Sequence, residues 1–243
     1  MKKRIFFIAV FYLLTFKSFS QDKGYIGLSD KGYVGLSVGA SIPIGDFASK
    51  DKNNNSAGFA TTGTIFDISF GYKLGKNFGI SALYRGQVNP TDADAFAAIF
   101  QNQYPGISWT VDSKSWSAAG FLFGCYGSFP IGTSGQTSFE TRALIGFLSA
   151  TTPEINITGR FGTTSAWIRQ SSATATSFSF LLGMGFKFNV GNKICLLTNL
   201  DYLGAKPEFT DIKITDSTGG SSVETVTQSL ETINFSVGIG FRL

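Results

Sequence analysis

The sequence predicts an all-β fold: an eight-stranded antiparallel transmembrane up-and-down β-barrel with short periplasmic turns and four long external loops. Three observations predict it. Eight segments alternate between apolar residues and small or polar ones, the pattern of extended strands. The links between them alternate in length, short after every second strand and long after the others. Beyond the N-terminal segment, no apolar run approaches the length of a membrane-spanning helix, and a closed barrel is the other way to satisfy backbone groups in lipid.

The closing stretch INFSVGIGFRL shows the alternation without exception. Ile233, Phe235, Val237, Ile239, Phe241 and Leu243 fall on one face; Asn234, Ser236, Gly238, Gly240 and Arg242 fall on the other. The first strand sets Val34, Leu36, Val38, Ala40, Ile42 and Ile44 against Gly35, Ser37, Gly39, Ser41 and Pro43. The second runs through Phe66, Ile68, Phe70, Tyr72 and Leu74, with Asp67, Ser69, Gly71 and Lys73 opposite. In the third, Phe78, Ile80, Ala82 and Tyr84 oppose Gly79, Ser81 and Arg85, with Leu83 an apolar intruder. The fourth places Ala119, Phe121, Phe123, Cys125 and Phe129 against Gly120, Leu122, Gly124, Tyr126 and Ser128. The fifth carries Phe139, Ala143, Ile145 and Phe147 opposite Glu140, Arg142 and Gly146. The sixth sets alternate positions from Phe178 to Phe188 against Ser179, Gly183, Gly185 and Lys187. The seventh sets Ile194, Leu196, Leu200 and Tyr202 against Asn199 and Asp201. Short links lie at 75–77, 132–136 and 191–193, and long ones at 48–61, 89–115, 151–173 and 204–230. All long loops therefore share one end of the sheet, and an even strand count puts both termini at the other, periplasmic end.

The face that meets lipid follows from the composition of the two faces. A soluble barrel would expose a face rich in Lys, Glu and Thr. Here the second face is mostly Gly, Ser and Ala, which suits a narrow lumen, and the Phe-rich face suits a bilayer and its interfaces. Asp67, Glu140 and Asp201, with Lys73, Arg85, Arg142, Lys187 and Arg242, all fall on the small-residue side. They read as a lumen charge network, favouring a salt-bridged plug over a translocation path because a barrel this small leaves no open channel.

The N-terminus MKKRIFFIAVFYLLTFKSFSQ has a basic start, an apolar middle and a small-residue end, the anatomy of a cleaved signal peptide over residues 1–20. Residues 21–31 then form a periplasmic lead-in and 32–243 the barrel. Of 20 basic residues, Lys2, Lys3, Arg4 and Lys17 lie in the signal, so the processed chain has as many basic as acidic residues, 16 of each. The formal +4 thus belongs to a discarded segment, and nucleic acid is not an expected partner.

These features resemble the small outer-membrane β-barrel domain proteins common in Bacteroidota, of the OmpA/OmpX-like eight-stranded kind. The residues that carry the resemblance are Phe19-Ser20-Gln21, the stretch Gly32-Tyr33-Val34-Gly35-Leu36-Ser37 through Pro43-Ile44-Gly45-Asp46-Phe47, and Val237-Gly238-Ile239-Gly240-Phe241. The resemblance implies a cell outer-membrane barrel surrounded by outer-membrane lipids and inserted by the outer-membrane assembly machinery. It implies no catalytic residues. Such chains often end on an aromatic residue, whereas this one ends on Leu243 with Phe241 two positions earlier.

Little in the chain points to chemistry. It has no histidine, the general base that hydrolases on such barrels rely on, so no enzyme activity, cofactor or metal is expected. Cys125 and Cys195 fall on opposite faces of non-neighbouring strands, which a disulfide cannot bridge. Gly24-Tyr25-Ile26-Gly27-Leu28-Ser29 is echoed eight residues on, but two copies make no repeat architecture. In the second long loop, Asp92 and Asp94 are placed to start a short helix carrying Phe96, Ile99 and Phe100, with Tyr104, Trp109 and Trp116 nearby. Phe96, Phe100, Tyr104, Trp109 and Trp116 are the candidate loop interaction residues; the competing reading packs them onto the barrel rim. The Ser/Thr/Gly-rich 151–173 and 204–230 loops read as solvated, mobile or extended hairpin tips. The function expected is a non-enzymatic structural or surface-interaction role through the external loops. Two alternatives are a small transporter passing a hydrophobic ligand through the wall, with a gap near Pro43 or Pro130, and a barrel subunit of a secretion or assembly complex.

Overall fold

A computed structural model describes residues 31–133 and 135–243. The signal peptide, nearly all of the lead-in and the Gly24–Ser29 echo lie outside the described residues. Eight strands form the barrel: β1 (Gly32–Pro43), β2 (Gly63–Lys73), β3 (Phe78–Asn89), β5 (Trp116–Ile131), β6 (Thr137–Thr151), β9 (Thr174–Val190), β10 (Ile194–Ala205) and β13 (Leu230–Arg242). They close in the order β1-β13-β10-β9-β6-β5-β3-β2, every pair antiparallel. All eight alternating segments of the sequence are therefore barrel strands. The closing stretch forms the seam with β1, in register from Tyr33 opposite Arg242 to Pro43 opposite Thr232.

The alternation sorts as the patterning dictates. Phe121, Phe123 and Phe147 are 71, 62 and 63% exposed on the outer wall, whereas Arg85, Asn234 and Leu181 are fully buried in the lumen. An outer wall of Phe, Ile, Leu and Val is the surface a bilayer requires, and the fold is a transmembrane β-barrel. Cys125 lies on the outer wall and Cys195 in the lumen, with no disulfide between them.

The long links are more ordered than a solvated tip. The first carries the one-turn helix α1 (Gly45–Ala48), whose Phe47 is buried at the mouth. The second holds α2 (Ala93–Gln103), which begins where the acidic pair placed it. The Asp92 carboxylate accepts the Ala95 N–H at 2.9 Å as the N-cap. The last three links also contribute strands β4 (Ser108–Ser113), β7 (Ile155–Phe161), β8 (Thr164–Gln170), β11 (Glu208–Asp216) and β12 (Ser221–Thr227). These assemble into one five-stranded antiparallel sheet, β12-β11-β8-β7-β4, beyond the barrel. Gly162, at φ 58°, makes the tight β7–β8 turn that pairs Phe161 with Thr164. A bulge between Phe209 and Ile212, with Asp211 at φ 60°, lets both of those apolar residues face inward.

Candidate functional site

The lumen is filled in two chemically distinct parts. On β6 the inward residues run, from the short-turn end, Glu140, Arg142, Leu144, Leu148 and Ala150; on β10 they run Cys195, Leu197, Asn199, Asp201, Leu203 and Ala205. Along β6 polar chemistry thus gives way to aliphatic packing toward the loops, while Ser41, Gln87, Asn89 and Thr232 form a buried polar side at that end. Leu83, Leu122, Leu144, Leu148, Leu181 and Leu203 form one buried cluster with Phe47, Trp116, Phe209 and Leu230 at the mouth.

Six of the eight charges fall into two groups, and the other two lie at the short-turn rim. Arg85 grips Asp67 with two parallel bonds, Nε to Oδ1 at 2.7 Å and Nη2 to Oδ2 at 2.6 Å. Arg142 grips Asp201 in the same way, at 2.9 and 2.6 Å. Arg85 Nη2 also donates to Asp201 Oδ2 at 2.7 Å, joining the two pairs into a chain across the lumen. Gly183 makes room for it: a Cβ there would stand 2.0 Å from Asp201 Oδ1. Lys187 and Glu140 form a second, smaller group at 3.4 Å, with the Lys187 ammonium 5.4 Å from the centre of the Tyr33 ring. Lys73, whose charge also acts on Glu140, and Arg242 lie at the short-turn ends of β2 and β13, where Arg242 Nη1 donates to the Gly191 carbonyl at 3.2 Å.

The paired charges balance, and the geometry is that of a plug. The cavity among Tyr33, Tyr126, Glu140 and Arg142 holds about 10 Å³, no more than a single water needs. Neither proline opens the wall, since the register runs unbroken through Pro43–Thr232 and Pro130–Ser138. The gap that a lateral transporter would use at those positions is thus closed. Two concavities of about 1050 and 740 Å³ lie along the outer wall among outward residues such as Val38 and Phe66.

Four of the five loop aromatics come together, and the fifth lies elsewhere. Phe96 packs on Phe59 at 4.6 Å between ring centres and on Phe100 at 6.0 Å. Trp109 meets Phe100 at 5.1 Å and Tyr104 at 6.1 Å. This chain of rings fastens α2 onto β4, and of the four only Tyr104 is exposed. Trp116 is buried between Phe47 and Phe209, at 5.5 and 6.0 Å, and its indole N–H donates to the Gly58 carbonyl at 2.9 Å. It cannot contact an external ligand without unpacking the mouth.

The reading of the loops overlooked the polar face of the external sheet. There Asn156, Arg169 and Thr215 stand side by side across β7, β8 and β11. The Arg169 guanidinium lies over the Trp167 ring at 4.7 Å. Beside them the Lys114 ammonium bonds Glu154 at 2.7 Å, which holds the Glu154 carboxyl below its ordinary range. The signal was present as alternation in INITGR and SAWIRQ, obscured by the short length of each strand.

No protein-family model matches the chain, and no curated protein sequence matches it. Solved structures of similar shape are outer-membrane barrels at low identity. The attachment invasion locus protein Ail of Yersinia pestis is 13% identical, covering 88% of this chain and 99% of that one, with a TM-score of 0.43. OprG of Pseudomonas aeruginosa is 10% identical over 88% and 96%, TM-score 0.44. A major outer membrane protein of Thermus thermophilus is 10% identical over 87% and 99%, TM-score 0.47.

Proposed function

We propose that the chain is a non-enzymatic outer-membrane protein in which a plugged barrel anchors a rigid external platform, and that the platform is the working surface. The observation that carries this reading is the fusion of three long loops into one five-stranded sheet. Loops that merely close strand ends need no common hydrogen-bonded architecture, whereas recognition benefits from a rigid display. The paired lumen charges and the leucine cluster support an anchor over a conduit. In this reading the short turns and both termini face the periplasm, and the outer-membrane assembly machinery inserts the barrel. β12 leaves one edge of the sheet unpaired, with Val223 63% exposed, so the platform also presents backbone donors and acceptors to its surroundings.

The test is an epitope inserted at Gly162-Thr163 in the β7–β8 turn. Antibody labelling of intact cells, together with a heat-dependent gel shift of the outer-membrane fraction, is the expected outcome. Labelling only after permeabilisation would place the sheet on the periplasmic side and overturn the reading.

A further inference from the structure

The external sheet has two unlike faces. One carries Trp109, Val111, Ile155, Ile157 and Ile212, packed toward α2 and the mouth. The opposite face opens a cleft of about 370 Å³ whose lining includes Glu154, Arg169, Ser171, Ser172, Lys213 and Thr215. That volume is at the small end of ligand sites and fits a sugar ring with one substituent.

The charge in the cleft is one-sided. Glu154 is its only acidic lining residue, and it is engaged by Lys114. Among the described residues, neither Arg169 nor Lys213 has a carboxylate within ion-pair reach. Asp112 is the other nearby acid; it lies across Asn156 from Arg169 and acts on Lys114. The cleft lining thus holds two cations, Arg169 and Lys213, and one carboxylate, Glu154, on which both Lys114 and Arg169 act. Stacking on Trp167 fixes the plane of the Arg169 guanidinium and leaves its N–H groups free to donate. Ser171, Ser172 and Thr215 supply hydroxyls that both donate and accept, as sugar hydroxyls require.

We propose that this cleft binds an anionic saccharide, its sulfate or phosphate ester held by Arg169 and Lys213 and its hydroxyls by Ser171, Ser172 and Thr215. The proposal rests on the sheet being the working surface and names the ligand class for it. A planar fork beside a point charge is the donor set that a tetrahedral oxyanion matches. A neutral glycan would offer neither cation an anion.

The experiment titrates the full chain in detergent micelles with dextran sulfate and, separately, with neutral dextran of equal length. Wild type is expected to bind the sulfated polymer alone, and more weakly as salt rises. Arg169→Gln and Lys213→Gln should each weaken binding roughly tenfold, the effect of one charged hydrogen bond. Arg169→Lys, which keeps the charge but loses the fork, should fall between. The heat-dependent gel shift verifies that each variant is folded. Equal binding of both polymers, unchanged affinity in the Gln variants, or no binding by wild type would each overturn the proposal. Competition by nanodiscs containing lipopolysaccharide would identify the ester as belonging to the surrounding membrane, and lack of competition would assign it to a foreign polysaccharide; both support the anionic class. If the epitope labels intact cells while dextran sulfate does not bind, the platform stands and the anion site falls.

Discussion

Replacing Asp201 by Asn removes an acceptor that two arginines share. The carboxylate accepts three charged hydrogen bonds: two from Arg142, at 2.9 and 2.6 Å, and one from Arg85 at 2.7 Å. Asn keeps the shape but offers one acceptor and turns an NH2 donor toward guanidinium donors. Each charged hydrogen bond contributes about 1.5–3 kcal/mol, and breaking a buried pair costs about 3–5 kcal/mol, so a loss in that second range is expected. Arg142→Met combined with Asp201→Leu removes a whole bidentate pair and leaves Arg85 on Asp67 through two bonds. That double variant should lose less than Asp201→Asn alone, because no charge is left unpartnered. The assay is urea unfolding in micelles, followed by gel mobility without boiling. A cost of Asp201→Asn below about 0.5 kcal/mol, or a double variant as unstable as the sum of its singles, would show that the charges are independently solvated and refute the coupled plug.

Further predictions follow from contacts already described. Gly183→Ala drives a methyl to 2.0 Å from Asp201 Oδ1, which three hydrogen bonds hold in place, and should lower the unfolding free energy by about 1–3 kcal/mol, whereas Gly86→Ala, with nothing within 4 Å of its Cβ, should be close to neutral. Trp116→Ala empties the packing between Phe47 and Phe209 and should cost about 3–5 kcal/mol, read as protease cleavage of the long links while the barrel still shifts on heating. Asp92 is held below the usual carboxylate range by the hydrogen bond from Lys50 and by capping Ala95. A depressed folded value means that its contribution is present above the unfolded value, about 3.9, and is lost as pH falls through the folded one. The protection factor of the Ala95 amide, relative to its intrinsic exchange rate, should therefore hold at neutral pH and fall once the pH drops through the depressed Asp92 value, and Asp92→Ala should remove that change.

The barrel was legible because its information is redundant. Each strand from β1 to β13 that faces lipid repeats one contrast, Phe or Ile outside and Gly or Ser inside, long enough for parity to be unmistakable. Parity assigns the lumen charges a face for the same reason, but it says nothing about height or rotamer. Which arginine meets which aspartate depends on register across strands as distant as β3 and β10. Leu83 reads as an apolar intruder along its strand, and Leu122 as one inner residue among glycines. Only closure of the sheet collects them with Leu144, Leu181 and Leu203 into a packed layer. The external sheet was the hardest to foresee, because β8 and β12 span seven residues each and their Ser and Thr content matches that of turns.

The bridge between the two ion pairs bears on the order in which the chain can assemble. Asp67 and Arg85 sit on adjacent strands and can meet as soon as the β2–β3 hairpin forms. Arg85 and Asp201 are 116 residues apart and belong to strands on opposite walls, so their bond exists only once the cylinder has closed. Arg142 and Asp201, separated by the width of β9, can pair within the β6-β9-β10 ribbon, but on an open ribbon that charged face stays uncovered, which hydrocarbon disfavours. An intermediate that folds its strands but fails to join β1 to β13 keeps both ion pairs on an uncovered face and lacks the bond that joins them.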